Sequence, residues 1–367
     1  MRIPIFHTYI HPSATEKVQS VLESTFLSEG KLVQEFEDAL SFQLGLVNPV
    51  AVNSGTSALH LALLLAGVGA GDEVICPAQT FVASALAILH AQATPVFADI
   101  QYETGNICPQ SIAARITPKT KAIMAVHWGG YPCDMDAIQA IAQQHQLVVI
   151  EDAAHALGAT YQNQAIGAIS DFTCFSFQAI KHLTTGDGGA ICCLRDELTQ
   201  KAFTYRWFGI DRANSQPSIT GERQYDITEA GYKYHLNNYA AALGLANLQN
   251  FQERLEKRRQ MAQRYSEALR QVSGIRLFEY QADRQSAYWL YGMHVERRDD
   301  FILALQDRGI TASVVHQRID RNSVFGGKRS DLVNQAHFDE TQVHIPIHDG
   351  LSEEDVEQII EAINHGW

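Results

Sequence analysis

Up to about residue 195 the chain alternates short β-branched or apolar runs with longer stretches of helical periodicity. That alternation predicts an α/β fold built on a mainly parallel sheet covered on both faces. Seven strands are expected, at residues 50–52, 73–76, 95–98, 122–126, 147–151, 173–176 and 190–193, with helices between most of them. Ser13 with Glu16 reads as a capping box opening the first helix, and Asp134 as the N-cap of a helix running to His145. From 238 to 272 the chain is first Ala/Leu-rich and then charged, without proline, which predicts one long helix leaving the large unit. Beyond it, strands are expected at 275–278, 288–295 and 311–315, and a helix from 300 to 308 stopped by Gly309. A closing helix opens at Ser352, with Asp355 three residues on and an apolar stripe of Val356, Ile359, Ile360 and Ile363. The economical division is a large α/β domain over residues 1–245, including the N-terminal segment, and a small C-terminal α+β domain over 246–367.

The 367 residues are 46% hydrophobic, enough for a full core and a second, smaller one. A formal charge of −13 argues against nonspecific binding to nucleic acid, which relies on clustered lysine and arginine. Charged substrates must then be held by a few placed side chains and helix ends. The six cysteines, Cys76, Cys108, Cys133, Cys174, Cys192 and Cys193, form no C-x-x-C pair and read as free thiols of a reducing compartment. Fifteen histidines lack zinc-site spacing, so no metal is expected. The densest apolar stretch, 58–66, is too short to span a bilayer and no signal segment opens the chain, so a cytoplasmic protein is expected.

Three stretches carry candidate chemistry. Asn53-Ser54-Gly55-Thr56-Ser57 follows a strand and opens a very apolar helix. Unpaired N–H groups and the helix dipole favour an anion there, although a serine-rich start with a turn glycine is ordinarily only a cap. The run 148–152 ends in Glu151 and Asp152, with His155 three residues later. A carboxylate at a strand's carboxyl end reaches a bound ligand in open α/β sheets, or merely caps the next helix. Lys181 lies just past a buried strand and before a glycine-rich turn at 186–189. Desolvation lowers a lysine's pKa and makes its amine nucleophilic, whereas a loop lysine otherwise snorkels to solvent. Together, a phosphate cradle, a strand-end acid and a later lysine are what pyridoxal 5'-phosphate (PLP) requires: an anchor, a partner for its ring nitrogen and an amine for its aldehyde.

These and further collinear stretches are NSGTSALH at 53–60, GDEVICPAQTF at 71–81, EDAAHALG at 151–158, the segment 176–189, WFGIDR at 207–212, GYKYHL at 231–236 and AAALG at 240–244. On them the chain resembles the DegT/DnrJ/EryC1/StrS family of sugar aminotransferases over nearly its whole length. The resemblance implies a fold-type I PLP-dependent transferase, a homodimer with active sites at the interface, and transfer of an amino group from L-glutamate to a keto-sugar, most often nucleotide-linked, for amino sugars of surface polysaccharides such as lipopolysaccharide. It implies that Gly55, Thr56 and Ser57 hold the phosphate, that Phe81 stacks on the ring, and that Asp152 pairs with the ring nitrogen. His155 stands where the family more often has glutamine near the cofactor's hydroxyl, and Ser176 where a serine reaches the phosphate. Lys181 aligns with the lysine that bonds the aldehyde. Lys233 stands where the family commonly has an asparagine that reaches the neighbouring subunit's phosphate. Trp128, Arg212, His316 and Arg318 are candidates for the substrate pocket, each with a core or surface role as the alternative.

Two other readings differ in kind. A dehydratase or other PLP reaction on a keto-sugar is separated by its products, since only transamination turns glutamate into 2-oxoglutarate. A PLP-binding regulator is disfavoured by the acidic charge and by the lack of an appended DNA-reading domain. A dinucleotide-binding protein would need a G-x-G-x-x-G opening its first βαβ unit, which is absent.

Overall fold

A computed structural model describes residues 2–212 and 214–367. Two helices, α1 (Ala14–Ser24) and α2 (Lys31–Leu44), precede a seven-stranded sheet. Its strands are β1 (Pro49–Val52), β2 (Glu73–Pro77), β3 (Thr94–Ala98), β4 (Thr120–Val126), β5 (Val148–Asp152), β6 (Phe172–Ser176) and β7 (Gly189–Cys193), each within two residues of its expected bounds. They lie in the order β1-β7-β6-β5-β4-β2-β3. β7 runs antiparallel to both its neighbours and the other pairings are parallel. The carboxyl ends of the parallel strands therefore share one edge, the edge where ligands bind in such sheets.

Both faces are buried, and the two-residue period of a strand divides its side chains between two cores. Ala51, Ile75, Ile123, Val149 and Phe175 face one apolar cluster. Val50, Val52, Val74, Cys76, Met124, Ile150 and Cys174 face the other. Helix α3 (Gly55–Leu65) runs under the second face against β6 and β7, which is why it is apolar all round rather than striped. α4 (Ala83–His90) packs beside it. α5 (Pro109–Arg115) and α6 (Met135–His145) cover the first face, and α7 (Asp196–Tyr205) follows β7.

The single long helix expected over 238–272 is two helices, α8 (Asn238–Leu248) and α9 (Phe251–Leu269). The break falls at Asn250, whose amide donates to the Tyr9 hydroxyl at 2.8 Å and whose carbonyl oxygen accepts from Arg254 at 3.1 Å. Phe251 and Leu255 belong to the large core, whereas Met261, Tyr265 and Leu269 pack in a separate cluster. That cluster sits on a three-stranded antiparallel sheet of β8 (Ile275–Leu277), β9 (Tyr291–Val295) and β10 (Gln342–Ile345). α10 (Arg298–Asp307), α11 (Val333–Thr341) and α12 (Glu353–Asn364) complete the chain. Ile3 joins the same cluster through a bridge to Ile310. The expected strand at 311–315 is reduced to one bridge, Ser313 to His344, and β10 takes the third place in the sheet.

The caps are mixed. Ser352 and Asp355 form the reciprocal capping box of α12. Ser13 does not cap α1, because its hydroxyl is engaged by His11 Nδ1 at 2.8 Å. Asp134 does not cap α6 either: its carboxylate accepts from Gln101 and Arg284, both at 2.6 Å.

Candidate active site

The cradle forms where β1 hands over to α3. Ser54 caps the helix, its Oγ accepting the Ser57 N–H at 3.0 Å, while the Ser57 hydroxyl donates to Asn53 Oδ1 at 2.6 Å. The N–H groups of Gly55 and Thr56 remain as first-turn donors without helical partners. A Cβ on Gly55 would stand 2.9 Å from the Ser176 Cβ, so glycine lets the helix start close against the end of β6.

Asp152 ends β5 and is buried. Its Oδ2 accepts from the Ser84 hydroxyl at 2.7 Å and its Oδ1 from the Ala154 N–H at 3.2 Å. Burial pushes the Asp152 pKa up; Ser84, Ala154, Lys181 and His127 pull the other way. Lys181 lies beyond β6 with its Nζ 3.7 Å from the centroid of the Trp289 ring. Burial lowers its pKa to about 7, against the pull of Asp152. His155 is buried and stacks on Trp289 with centroids 3.8 Å apart. Burial, then the positive charge of Lys181, holds His155 well below the usual imidazole range, so its ring is neutral. Its Nδ1 is buried without a hydrogen-bond partner.

These groups surround one cavity of about 390 Å³, lined by Gly55, Thr56, Phe81, Asp152, His155, Ser176, Lys181, Trp289 and His316 among others. Ser57 lies one step behind the lining, holding the cradle through Asn53 and Ser54. Phe81 is half-exposed at the mouth, its ring centroid 5.1 Å from that of His316. Burial and Lys181 lower the His316 pKa to about 4. Lys233 is exposed and absent from its own chain's cavity; its carbonyl accepts from Asn53 Nδ2 at 3.2 Å and its backbone bridges to Trp207.

Of the four pocket candidates, only His316 lines the cavity. Trp128 is buried behind it, 5.5 Å from His155. Arg212 stacks over Trp207 and pairs with Glu29 at 2.7 Å on a separate surface hollow. Arg318 is buried in a two-bonded pair with Asp320, at 2.7 and 2.6 Å. Sequence reasoning missed Ser84 and Trp289. Ser84 had a faint signal, a hydroxyl in an otherwise apolar helix. Trp289 had none, because it lies in a turn that only the fold brings beside Lys181.

The residues present fit PLP. The first-turn N–H groups of Gly55 and Thr56 would suit a dianion, the buried Asp152 carboxylate a ring nitrogen and the desolvated Lys181 amine an aldehyde, and His155, in the lining of the same cavity, keeps a buried Nδ1 without a hydrogen-bond partner. Fold and site thus define a PLP-dependent enzyme of the aminotransferase class. The chain belongs to the DegT/DnrJ/EryC1/StrS aminotransferase family, which matches residues 8–364. The spore coat polysaccharide biosynthesis protein SpsC of Bacillus subtilis is 40% identical over 95% of this chain and 92% of its own length. GDP-perosamine synthase of Caulobacter vibrioides is 34% identical over 99% of this chain and 98% of its own. The solved sugar aminotransferase CalS13 of Micromonospora echinospora superposes with a TM-score of 0.95 at 36% identity, covering all of both chains. Solved neighbours include a PLP-form at 30% identity. The protein is a sugar aminotransferase and its cofactor is PLP.

Proposed function

We propose that this enzyme moves an amino group from L-glutamate to a nucleotide-linked keto-sugar, in the cytoplasm, to make an amino sugar for a surface polysaccharide. The names of SpsC and GDP-perosamine synthase support the polysaccharide destination and the nucleotide carrier. The observation that carries the reading is the buried amine of Lys181 beside Asp152 in one cavity with the helix start at Gly55.

PLP, when bound, supplies a ring that accepts the electrons left behind when a proton leaves the carbon bearing the nitrogen. Lys181 would hold the cofactor's aldehyde through Nζ and, as a neutral amine near pH 7, would carry the proton that leaves the carbon bearing the nitrogen. The Asp152 carboxylate would keep the proton on the cofactor's ring nitrogen. Gly55 and Thr56 offer N–H groups, and Thr56 and Ser176 hydroxyls, to the phosphate. Phe81, at the mouth, would stack on the cofactor's ring, and neutral His155 would lie near its hydroxyl.

In the same reading the working unit is a homodimer in which Lys233 serves the neighbouring subunit's phosphate as a point charge. Phe208, Tyr225 and Ile227 are exposed apolar residues lining one hollow with Glu29, and Phe26 and Leu27 line the next, as expected of surface that a second copy covers. Residues 1–245 then form the cofactor-binding domain and 246–367 the smaller domain.

A panel of keto-sugars, free and nucleotide-linked, assayed with L-glutamate tests the proposal. The expected result is 2-oxoglutarate formed in step with one aminated nucleotide sugar, and no turnover by Lys181→Ala. Sugar consumed without 2-oxoglutarate would replace transamination by dehydration.

A further inference from the structure

His127 and Glu151 are both fully buried, joined by a 2.7 Å bond between Nε2 and Oε2, and neither lines the cavity. The Cys133 N–H donates to His127 Nδ1 at 3.0 Å, so the ring proton sits on Nε2 and is donated to Glu151. Glu151 Oε1 accepts from the Thr173 hydroxyl at 3.0 Å. The His127 backbone N–H donates to the Asp152 carbonyl at 3.2 Å. His127 is thereby tied twice to consecutive residues at the end of β5, once by side chain and once by backbone. A buried carboxylate in place of packed hydrocarbon adds little stability.

The turn that His127 opens explains what the tie achieves. Trp128, Gly129 and Gly130 pass between His155 and the segment 287–290. Gly130 has φ +100°, and a Cβ there would lie 2.7 Å from the His155 carbonyl oxygen and 3.1 Å from the Trp289 nitrogen. The carbonyls of Gly130 and Gly129 accept from the N–H groups of Ala287 (3.0 Å) and Leu290 (3.1 Å), the residues flanking Tyr288 and Trp289. Trp289 in turn donates from Nε1 to the Ile180 carbonyl at 2.9 Å, stacks on His155 and lies under the Lys181 amine.

We propose that the buried His127–Glu151 pair is a positioning element of the active site: through the Trp128–Gly130 turn it sets Trp289 against His155 and Lys181, and so decides where the reacting amine stands. The titratable groups facing Lys181 are Asp152, His155 and His316, and those facing the pair are Asp152, Cys133, Cys174 and Cys192. Burial pushes the thiols up, which leaves them uncharged.

The inference rests on Lys181 being the amine that bonds the cofactor, and the test separates the two. The holoenzyme and its Glu151→Leu and Glu151→Gln variants are titrated from about pH 5 to 10 by the visible absorbance of the bound cofactor, which reads protonation at the Lys181 nitrogen. Glu151→Leu cannot accept from His127 or Thr173, and its midpoint moves by about half a pH unit or more, with kcat down roughly tenfold and KM within about twofold. Glu151→Gln still accepts from His127 Nε2 and can donate to Thr173, so it keeps the unsubstituted midpoint and rate. An unmoved midpoint in Glu151→Leu with only a lower Tm overturns the proposal, as does a Gln variant as impaired as the Leu variant. Should Glu151→Leu fail to fold, Thr173→Val, which removes one bond of the tie, moves the midpoint in the same sense by less; no movement there overturns it equally. Absence of the absorbance band from the unsubstituted protein loaded with PLP would defeat the Lys181 assignment instead.

Discussion

Lys181 is the residue whose chemistry depends most on its surroundings. An amine lowered to about pH 7 by burial is half neutral near physiological pH, and only the neutral form attacks an aldehyde. The rate of PLP uptake by cofactor-free protein therefore rises about tenfold per pH unit below 7 and levels off above it, instead of climbing to pH 10 as for an exposed lysine. Stopped-flow absorbance measures this, and a rise continuing through pH 9 would contradict the burial. Asp152 has a narrower task. Asp152→Asn keeps an oxygen for the Ala154 N–H and turns its NH2 to donate to the Ser84 oxygen, yet offers no negative charge, so folding is retained while kcat falls by roughly 10²- to 10³-fold. Circular dichroism and steady-state rates on the same preparation check both halves. Both residues were legible in the chain, each as the polar end of an apolar run. Ser84 and Trp289 were far less so, because their significance is a distance to Asp152 and Lys181 and not a local pattern.

Among the elements, the start of α3 and the end of β6 are held at contact by a missing side chain. Gly55→Ala forces a Cβ against Ser176, which moves the first-turn N–H groups off the phosphate; PLP affinity falls roughly tenfold, by equilibrium dialysis, with a smaller loss of Tm. At the other end of the chain Ser352→Ala removes one half of a working capping box and costs about 1 kcal/mol in denaturant unfolding, without altering the cofactor's absorbance. The contrast with Ser13 is instructive. The same serine-to-acid spacing predicted a cap there, but a histidine two residues earlier took the hydroxyl. Asp134 shows the competition at longer range, its carboxylate drawn off by Arg284, which is 150 residues away in sequence. The seven strands of the large sheet kept their positions because a fully buried strand is marked by several apolar residues at once, whereas the expected strand at 311–315 was reduced to a single bridge.

At the scale of the whole molecule, a net charge of −13 leaves the cavity to accommodate an anionic cofactor with, among the described residues, Lys181 as the one lysine in its lining and no arginine. That is the setting in which the cation proposed to come from a second copy would matter. Lys233→Ala is expected to lower PLP affinity, and a one-to-one mixture of Lys181→Ala with Lys233→Ala, dissociated and reassociated, to recover about a quarter of the unsubstituted activity, since only mixed dimers hold one intact site. A mixture no more active than its components would place Lys233 outside the neighbouring site. By itself the sequence determined the strands of the large sheet in their order along the chain, the apolar helix that starts at Gly55, and Asp152 and Lys181 as polar residues set beside apolar runs, because these follow from periodicity and from polar residues where burial is costly. The tertiary structure decided that Trp289 lies under Lys181, that Arg318 is spent on Asp320, that the helix at 238–272 breaks at Asn250, and that His127 grips Glu151. Each of those is a choice among partners far apart in the chain, and such a choice is made by packing, which no local pattern of residues encodes.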